Sequence, residues 1–239
     1  MPPGSQRVLS LAGLAPNLTS PVVHVTSTGG AIAAAVETSV VVGLAPAGVE
    51  LTGATSAPAT SQVIPGLVVP ESGSGGSTIE ATLQPGSVTD VPLGVLDEGV
   101  YAVRVEADQP VVAAARATVG GAVGQTDAAA PSDLAWTVAT APLLDSAVIA
   151  VPPGPSATLH LANSGGAPVQ VSLAEDGAER TVEVPAAGAL SVSLDASSVV
   201  LTGTSGLHAT VSFASDDELA AFGVQPPGPL DSPIRVYPN

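Results

Sequence analysis

The residues that could carry out chemistry in this chain are three histidines, many serines and aspartates, and one short acidic run. His24, His160 and His208 lie far apart, each in a stretch where apolar and polar residues alternate. The sequence lacks the G-x-S-x-G turn of many serine hydrolases and the H-E-x-x-H motif of zinc proteases. We therefore interpret the histidines as ordinary strand residues, and we predict no catalytic residue and no enzyme activity.

The best candidate for a metal site is an acidic run near the end of the chain. Asp216, Asp217 and Glu218 place three carboxylates side by side, and calcium is bound by several oxygens that converge from loops. The run matches neither an EF-hand loop nor a repeated Asp-x-Asp pattern. The alternative is that Ser215 or Asp216 caps a helical turn over Asp216–Phe222, because acidic residues are favourable in the first turn of a helix. Apart from this calcium candidate we expect no cofactor.

The composition argues against several classes of protein. The net charge is −16, there is no lysine and the five arginines are scattered, so nucleic acid is a poor partner. Without cysteine or lysine there is no disulfide, no thiol nucleophile and no Schiff-base lysine. Aromatic residues make up only 2%. We interpret Trp136, Tyr101 and Phe213 as core anchors rather than sugar-stacking platforms, although glycan binding stays open as an alternative.

Alternating Val-rich stretches, separated by many of the 26 glycines and 23 prolines, predict an all-β fold of tandem immunoglobulin-like or fibronectin-like β-sandwiches. Eight stretches beyond residue 132 have strand character: DLAWTVAT, AVIAV, SATLHLA, VQVSLA, TVEV, LSVSL, SVVLTG and LHATVSFA. No apolar run approaches the roughly 20 residues that span a bilayer. The first residues also lack a signal-peptide pattern, so we expect an excised ectodomain or mature fragment.

An internal repeat predicts that part of the chain is missing. Residues 7–40, 88–119 and 190–214 share one order of strands and turns, each resembling the last strands of a sandwich. Measured against the third repeat, the second lacks about two strands. The Gly/Ser stretch 71–77 stands in their place, and such a composition behaves as flexible coil. We interpret it as a replacement of missing strands, natural or engineered; the alternative is an ordinary surface loop.

The repeat suggests the following domain organisation. Residues 1–120 would form one composite sandwich from two fragments, and residues 121–132 would form a linker. Residues 133–239 would form a second sandwich with an extended tail. If this is right, residues 71–77 should be unpaired, and strands near 22–41 should contact strands near 99–118.

The chain resembles a family of secreted or membrane-anchored actinobacterial proteins of unknown function. The phrase from HVTSTGG to IPGLVVP carries the resemblance, together with GVYAVRVEADQPVVAAARAT and DLAWTVATAPLL. It implies an extracytoplasmic β-sandwich protein of the cell envelope, with an N-terminal anchor and further sequence that are absent here. Members of the family continue through two more strands where this chain has SGSGG. The resemblance carries no active residue that could be transferred.

These observations favour a non-catalytic extracytoplasmic module, structural or protein-binding, of an actinobacterial cell envelope. We expect an envelope protein as its partner, contacted by addition of a strand to a free sheet edge. A membrane would be reached only through an anchor outside this chain. The alternative function is a surface module that binds glycan or calcium.

Overall fold

The computed structural model describes residues 5–14, 22–30, 32–42, 44–69, 78–93, 99–120, 131–216 and 218–226. These residues form one short helix, α1 (Leu11–Leu14), and fourteen strands joined in antiparallel pairs. The strands are β1 (Ala35–Val42), β2 (Ala45–Gly53), β3 (Ala59–Val69), β4 (Gly99–Val111), β5 (Ala114–Gly120), β6 (Pro131–Val138), β7 (Ser146–Ala150), β8 (Thr158–Ala162), β9 (Val169–Glu175), β10 (Ala178–Val184), β11 (Ala189–Ser193), β12 (Ser198–Thr202), β13 (His208–Ala214) and β14 (Leu219–Val224). The predicted all-β fold of sandwich type is confirmed.

Strands β7 to β14 form a sandwich of two four-stranded sheets. The strand orders are β10-β9-β12-β7 and β11-β8-β13-β14. In β7 and β12 every second side chain is buried, as expected for strands with one face on a core. Leu159, Leu161, Leu173 and Leu201 are fully buried between the sheets, and burying each leucine contributes roughly 1.5–3 kcal/mol. The apolar residues that alternate in the sequence are therefore the residues that form this core.

Local turn chemistry sets the register of the β9–β10 hairpin. Asp176 and Gly177 both have positive φ, 48° and 86°, which is what the two-residue turn of a tightly twisted hairpin requires. The two strands then pair without a break from Ala178↔Glu175 onward. Arg180 contacts the Glu175 carboxylate at 2.7 Å across this hairpin.

The two central strands of the second sheet, β8 and β13, are buried on both faces. Every residue of β13 except the last is buried, and so are four of the five residues of β8. The outer face of this sheet is covered by β3, which contacts β8 and β13, and by β6, which contacts β14. Strand β3 pairs with β4, and β5 pairs with β6. Small apolar clusters around Ile64 and Leu67, and around Val119 and Leu219, lie on this side of the sheet.

Strands β1 and β2 pair with each other to form a two-stranded unit, which we call the β1–β2 ribbon. It meets the rest of the protein through β2, which contacts β6 and β14. In the described part of the chain, the β-sheet pairing gives β1 no partner other than β2.

One local prediction is wrong: the helical turn expected over Asp216–Phe222 is a strand for most of its length. Strand β14 pairs with β13 from Ala214↔Leu219 to Ala209↔Val224. This pairing satisfies the backbone in the sheet and buries Leu219 and Val224, a gain that an isolated helical turn could not match.

The expected eight-strand module is present with one exchange of strands. The stretch DLAWTVAT forms β6, which begins at Pro131 inside the predicted linker and pairs with β5; the eighth strand of the sandwich is β14 instead. The expected contact of residues 22–41 with 99–118 is not among the described strand pairs, since residues 22–30 form no strand and β1 pairs with β2. Residues 71–77, 121–130 and 227–239 lie outside the described residues. The division into two domains stays a prediction.

Candidate functional site

A histidine hydrogen-bonded to two serines lies on the outer face of the second sheet. His160 stands in β8, directly opposite Ser191 of β11. Its Nδ1 lies 2.9 Å from the Ser191 Oγ, and its Nε2 lies 2.7 Å from the Ser212 Oγ on β13. In a neutral imidazole one nitrogen donates and the other accepts, so both ring nitrogens are satisfied. We call these three residues the His160 cluster.

Gly66 of β3 packs directly against the ring of His160. Gly66 lies at an irregularity in the β3–β4 pairing, between Ile64 and Leu67, with a φ of +74°. A Cβ atom at this position would stand 2.6 Å from the His160 Cδ2, closer than real Cβ contacts allow. The sequence therefore needs glycine here for two reasons: the left-handed backbone and the approach to the ring.

The His160 cluster contains a serine hydrogen-bonded to a histidine, as a nucleophilic serine requires. It lacks the carboxylate and the access to solvent that such a pair has in an active site. In a catalytic triad a carboxylate orients the histidine, whereas here a second serine occupies that side. His160 is 2% exposed and Ser212 is 3% exposed, so neither is open to a substrate in this arrangement. Burial also lowers the pKa of His160 from 6.5 to about 4, which keeps the ring neutral at physiological pH. The hydrogen bonds of His160 join β8, β11 and β13. In this arrangement the buried, neutral ring is not placed to exchange a proton with a substrate.

A second buried histidine makes a similar structural contact. His208, at the start of β13, donates from Nδ1 to the Thr140 backbone carbonyl at 2.9 Å. Burial lowers the pKa of His208, while the hydrogen bond to Thr140 acts in the opposite direction. By contrast, His24 is exposed in a segment without strand pairing. The prediction that all three histidines are strand residues therefore holds for His160 and His208 only.

We predict that the buried imidazole of His160 makes the protein less stable in mild acid. The unfolded chain binds a proton near pH 6.5, but the folded chain binds it only near pH 4. Stability from this residue is therefore complete above pH 6.5 and is lost as the pH falls through about 4, by up to about 3 kcal/mol. Urea unfolding over this range should show the loss, and His160→Gln should remove it.

The matched control for this prediction is His24→Gln, which changes an exposed histidine and should leave the pH dependence intact. An unchanged pH dependence in His160→Gln would contradict the assignment of the effect to the buried ring.

Two carboxyl groups interact through their charges where the β1–β2 ribbon contacts β6. Glu50 of β2 is only 5% exposed, and its Oε1 is a buried oxygen without a hydrogen-bond partner. Burial raises the pKa of Glu50 to about 7, the charge of Asp133 on β6 also raises it, and a hydrogen bond from the backbone of Trp136 opposes both. Asp133 accepts hydrogen bonds from the backbone N–H groups of Leu134 and Leu219, each at 2.9 Å. We call Glu50 and Asp133 the carboxyl contact.

The predicted calcium residues lie in the turn between β13 and β14. The Ser215 N–H donates to the Glu218 carbonyl at 2.9 Å, and the Glu218 N–H donates to the Ser215 Oγ at 3.2 Å. Asp216 and Glu218 are exposed, and Asp217 lies outside the described residues. Within the described part of the chain no group of three or more His, Cys, Asp or Glu residues is placed to hold a metal ion. Calcium binding at this turn stays a prediction.

The aromatic residues are distributed between core and surface. Phe213 lies in the sandwich core as predicted, with its ring centroid 6.3 Å from that of Phe222. Tyr101 is half-buried against the cluster around Ile64. Trp136 is also half-buried, with the Arg116 guanidinium 5.6 Å from its ring centroid, so a cation covers the ring.

Sequence reasoning missed both the His160 cluster and the carboxyl contact. The partners of His160 are 31 and 52 residues away, so the cluster exists only once β8 pairs with β11 and β13. For Glu50, alternation favours burial of the apolar residues Val49 and Leu51, but these are 62% and 66% exposed and the glutamate is buried. The available signal was that Glu50 is the single charged residue of this otherwise neutral strand.

The fold and the buried polar clusters define an all-β sandwich protein with polar contacts buried on the outer face of one sheet. The family model described as "Family of unknown function (DUF5719)" matches residues 1–78 and 72–200 of the sequence. The chain belongs to this family. The two matched segments overlap at residues 72–78, across the Gly/Ser stretch where the repeat predicts missing strands.

Neither the curated proteins nor the solved structures include a match to the chain. Among the described residues, no helix has the length and apolar character required to cross a membrane.

Proposed function

We propose that this protein is a non-catalytic structural or protein-interaction module of an actinobacterial cell envelope, and that it binds its partner by strand addition at β1. Support for the location comes from the resemblance to secreted and membrane-anchored proteins described above. The observation that carries the binding mode is the free edge of β1.

The β1 edge has the features of a sheet edge that can bind another strand. The strand is eight residues long and contains one charged residue, Glu37, with no proline and no lysine. Its sheet pairing, in the described part of the chain, is with β2 alone. A free strand edge presents unpaired backbone N–H and C=O groups, which an extended peptide can match.

Other strand edges of the molecule are protected in ways that β1 is not. Strand β10, at one edge of the sandwich, carries Glu179, Arg180 and Glu183 as exposed charges. Strands β7 and β11, at two further edges, are only five residues long. Strand β4 carries the exposed charges Arg104 and Glu106. Because short strands and charged side chains are the usual means by which proteins block edge pairing, the contrast favours β1 as the edge used for binding.

The chemistry of the surroundings suggests the kind of partner. Val41, Val49 and Leu51 are each more than 60% exposed on the ribbon face that also carries Ser39 and Glu37. An added strand with apolar side chains at alternate positions would pack beside Val41 and extend this apolar face. The net charge of −16 opposes an acidic partner and a second copy of the chain. We therefore propose a neutral or basic extended segment of an envelope protein.

Strand addition at β1 can be tested by co-sedimentation with cell walls isolated from an actinobacterium. Wild-type protein should bind, and protease treatment of the walls should abolish the binding. Val41→Lys places a lysine on the β1 edge and should lower the bound fraction at least about tenfold. The control is Val148→Lys, which changes a similarly exposed valine on the short edge strand β7 and should bind as wild type.

The remaining outcomes decide against the proposal. Binding that survives protease would indicate a glycan ligand, and binding that requires calcium would move the site to the turn at residues 215–218. Equal loss in Val41→Lys and Val148→Lys, or absence of binding in all samples, would contradict strand addition at β1.

A further inference from the structure

The β1–β2 ribbon is held to the rest of the protein without a buried apolar anchor among the described residues. Of the ribbon side chains that the structure describes, Glu50 is the one that is buried. None of the three hydrophobic clusters of described residues includes a residue of β1 or β2. Val49 and Leu51, on either side of Glu50, point to the exposed face. Among the described side chains, the polar contacts around Glu50 are therefore the fully buried part of the ribbon's attachment.

Strands β2 and β6 lie very close together beside the carboxyl contact. A Cβ atom at Gly48 would lie 2.6 Å from the Asp133 Oδ1, so the backbone of β2 rests against this carboxylate. Two residues further along β2, the Glu50 carboxyl group accepts a hydrogen bond from the backbone N–H of Trp136. Its Oε1 faces no donor. The surroundings therefore suit a neutral carboxylic acid but lack a partner for a full negative charge.

The charged groups around Glu50 do not offset the cost of ionising it. Asp133, on β6, is negative and raises the cost of ionising Glu50. On β1, the one titratable residue is Glu37, which lies on the opposite, exposed face. Strand β14 has no titratable residue, and Glu218 in the turn before it is exposed. The cation of the neighbouring β5–β6 hairpin, Arg116, is placed over the Trp136 ring.

We propose that the β1–β2 ribbon is a pH-dependent docking element, seated on β6 and β14 while Glu50 is protonated and released when Glu50 ionises beside Asp133. Release separates β2 from β6 and removes the fixed position of the β1 edge. The consequence for partner binding rests on the proposed function, whereas release of the ribbon does not.

The direction of the pH dependence follows from burial. In the folded chain the pKa of Glu50 is raised from 4.5 to about 7. The folded state therefore retains a proton that the unfolded or released ribbon has lost. Its contribution to docking is complete below pH 4.5 and is lost as the pH rises through about 7.

Amide hydrogen exchange of the whole chain tests this proposal. Wild-type protein is compared at about pH 5.5 and about pH 8.5, with rates corrected for the intrinsic dependence of exchange on pH. Protection of amides in residues 35–53 should fall at least about tenfold at the higher pH. Amides of β13, a central strand buried on both faces, report global unfolding and should keep their protection.

Two variants assign the effect to Glu50. Glu50→Gln has nearly the same shape and is neutral at every pH, so its ribbon should be protected at both pH values. Glu37→Gln changes an exposed acid of the same ribbon and should retain the wild-type pH dependence.

A third variant covers the case in which Glu50→Gln also loses protection in β13 and so proves globally unstable. Asp133 raises the pKa of Glu50 through its negative charge. Asp133→Asn removes that charge and moves the pKa of Glu50 in the docked ribbon toward its value in the released ribbon, so the fall in ribbon protection between about pH 5.5 and about pH 8.5 should be smaller than in the wild type. A loss of protection as large as that of the wild type in this variant would contradict the role of the carboxyl contact.

The possible results separate this proposal from the proposed function. Equal ribbon protection at both pH values in the wild type would overturn the docking element, and so would a pH dependence that survives in Glu50→Gln. Failure of the cell-wall binding experiment would leave the exchange result standing. Conversely, a ribbon that stays seated at both pH values would leave strand addition at β1 intact.

Discussion

Gly66→Ala should lower the free energy of unfolding by roughly 2–5 kcal/mol. A non-glycine residue in the left-handed region costs roughly 1–2 kcal/mol, and Gly66 has a φ of +74°. The new methyl group would also stand 2.6 Å from the ring of His160, and overpacking of this kind costs roughly 1–3 kcal/mol. Urea unfolding of the purified variant measures the sum.

Gly86→Ala is the matched control, because it separates backbone strain from the contact with the ring. Gly86 has nearly the same φ, +70°, but no atom lies within 4 Å of the point where its Cβ would stand. It should therefore lose only the backbone contribution, roughly 1–2 kcal/mol. Equal losses in the two variants would show that the approach of β3 to His160 contributes nothing to stability.

Asn163→Asp should destabilise the sandwich by about 3–5 kcal/mol at neutral pH. The Asn163 side chain is 6% exposed, and its Nδ2 donates to the backbone carbonyls of Ala167 at 2.8 Å and Pro185 at 3.1 Å. Its Oδ1 accepts from the Gly165 N–H at 2.9 Å. An aspartate would place a buried charge against carbonyl oxygens that have lost their donor. Urea unfolding at pH 7 measures the loss.

Gln170→Glu makes the same amide-to-acid change on the surface and serves as the control. Gln170 is exposed and donates to the Glu183 carboxylate at 2.6 Å. Its replacement should cost less than about 1 kcal/mol, since exposed charges are screened by water. A loss in Asn163→Asp as small as that in Gln170→Glu would contradict the role of the buried amide.

The strands of the sandwich could be predicted from the sequence because each follows a local rule. Alternation in stretches such as VQVSLA and SVVLTG predicts strands with one buried face, and both are strands. The Asp-Gly pair at residues 176–177 predicts the tight turn between β9 and β10. These features depend on residues that are neighbours in the chain.

Strand pairing could not be predicted in the same way, because it depends on residues far apart. The stretch that forms β14 contains Leu219, Ala220 and Ala221 after acidic residues, which favours a helical turn locally. Pairing with β13 overrides that preference. Likewise, nothing within DLAWTVAT indicates that it pairs with β5 rather than with a strand of the sandwich. The His160 cluster and the carboxyl contact escaped prediction for the same reason, since each joins side chains of different strands.

His160 and Glu50, two of the buried titratable groups of the described chain, have opposite effects on stability as the pH changes. His160 contributes stability that is lost as the pH falls from 6.5 through about 4. Glu50 contributes stability that is lost as the pH rises from 4.5 through about 7. Global unfolding alone would therefore show a partly cancelled pH dependence, and measurements on individual strands are needed to separate the two residues.

The polar outer face of the second sheet bears on how such a protein can gain or lose segments during evolution. If the layer formed by β3 to β6 were absent, the face uncovered on β8 and β13 would present His160, Thr210 and Ser212 to water. Imidazole and hydroxyl groups are readily hydrated, whereas a leucine-rich face would promote aggregation. Such a face therefore offers fewer apolar side chains for aggregation than a leucine-rich face would when the covering layer is gained, exchanged or lost.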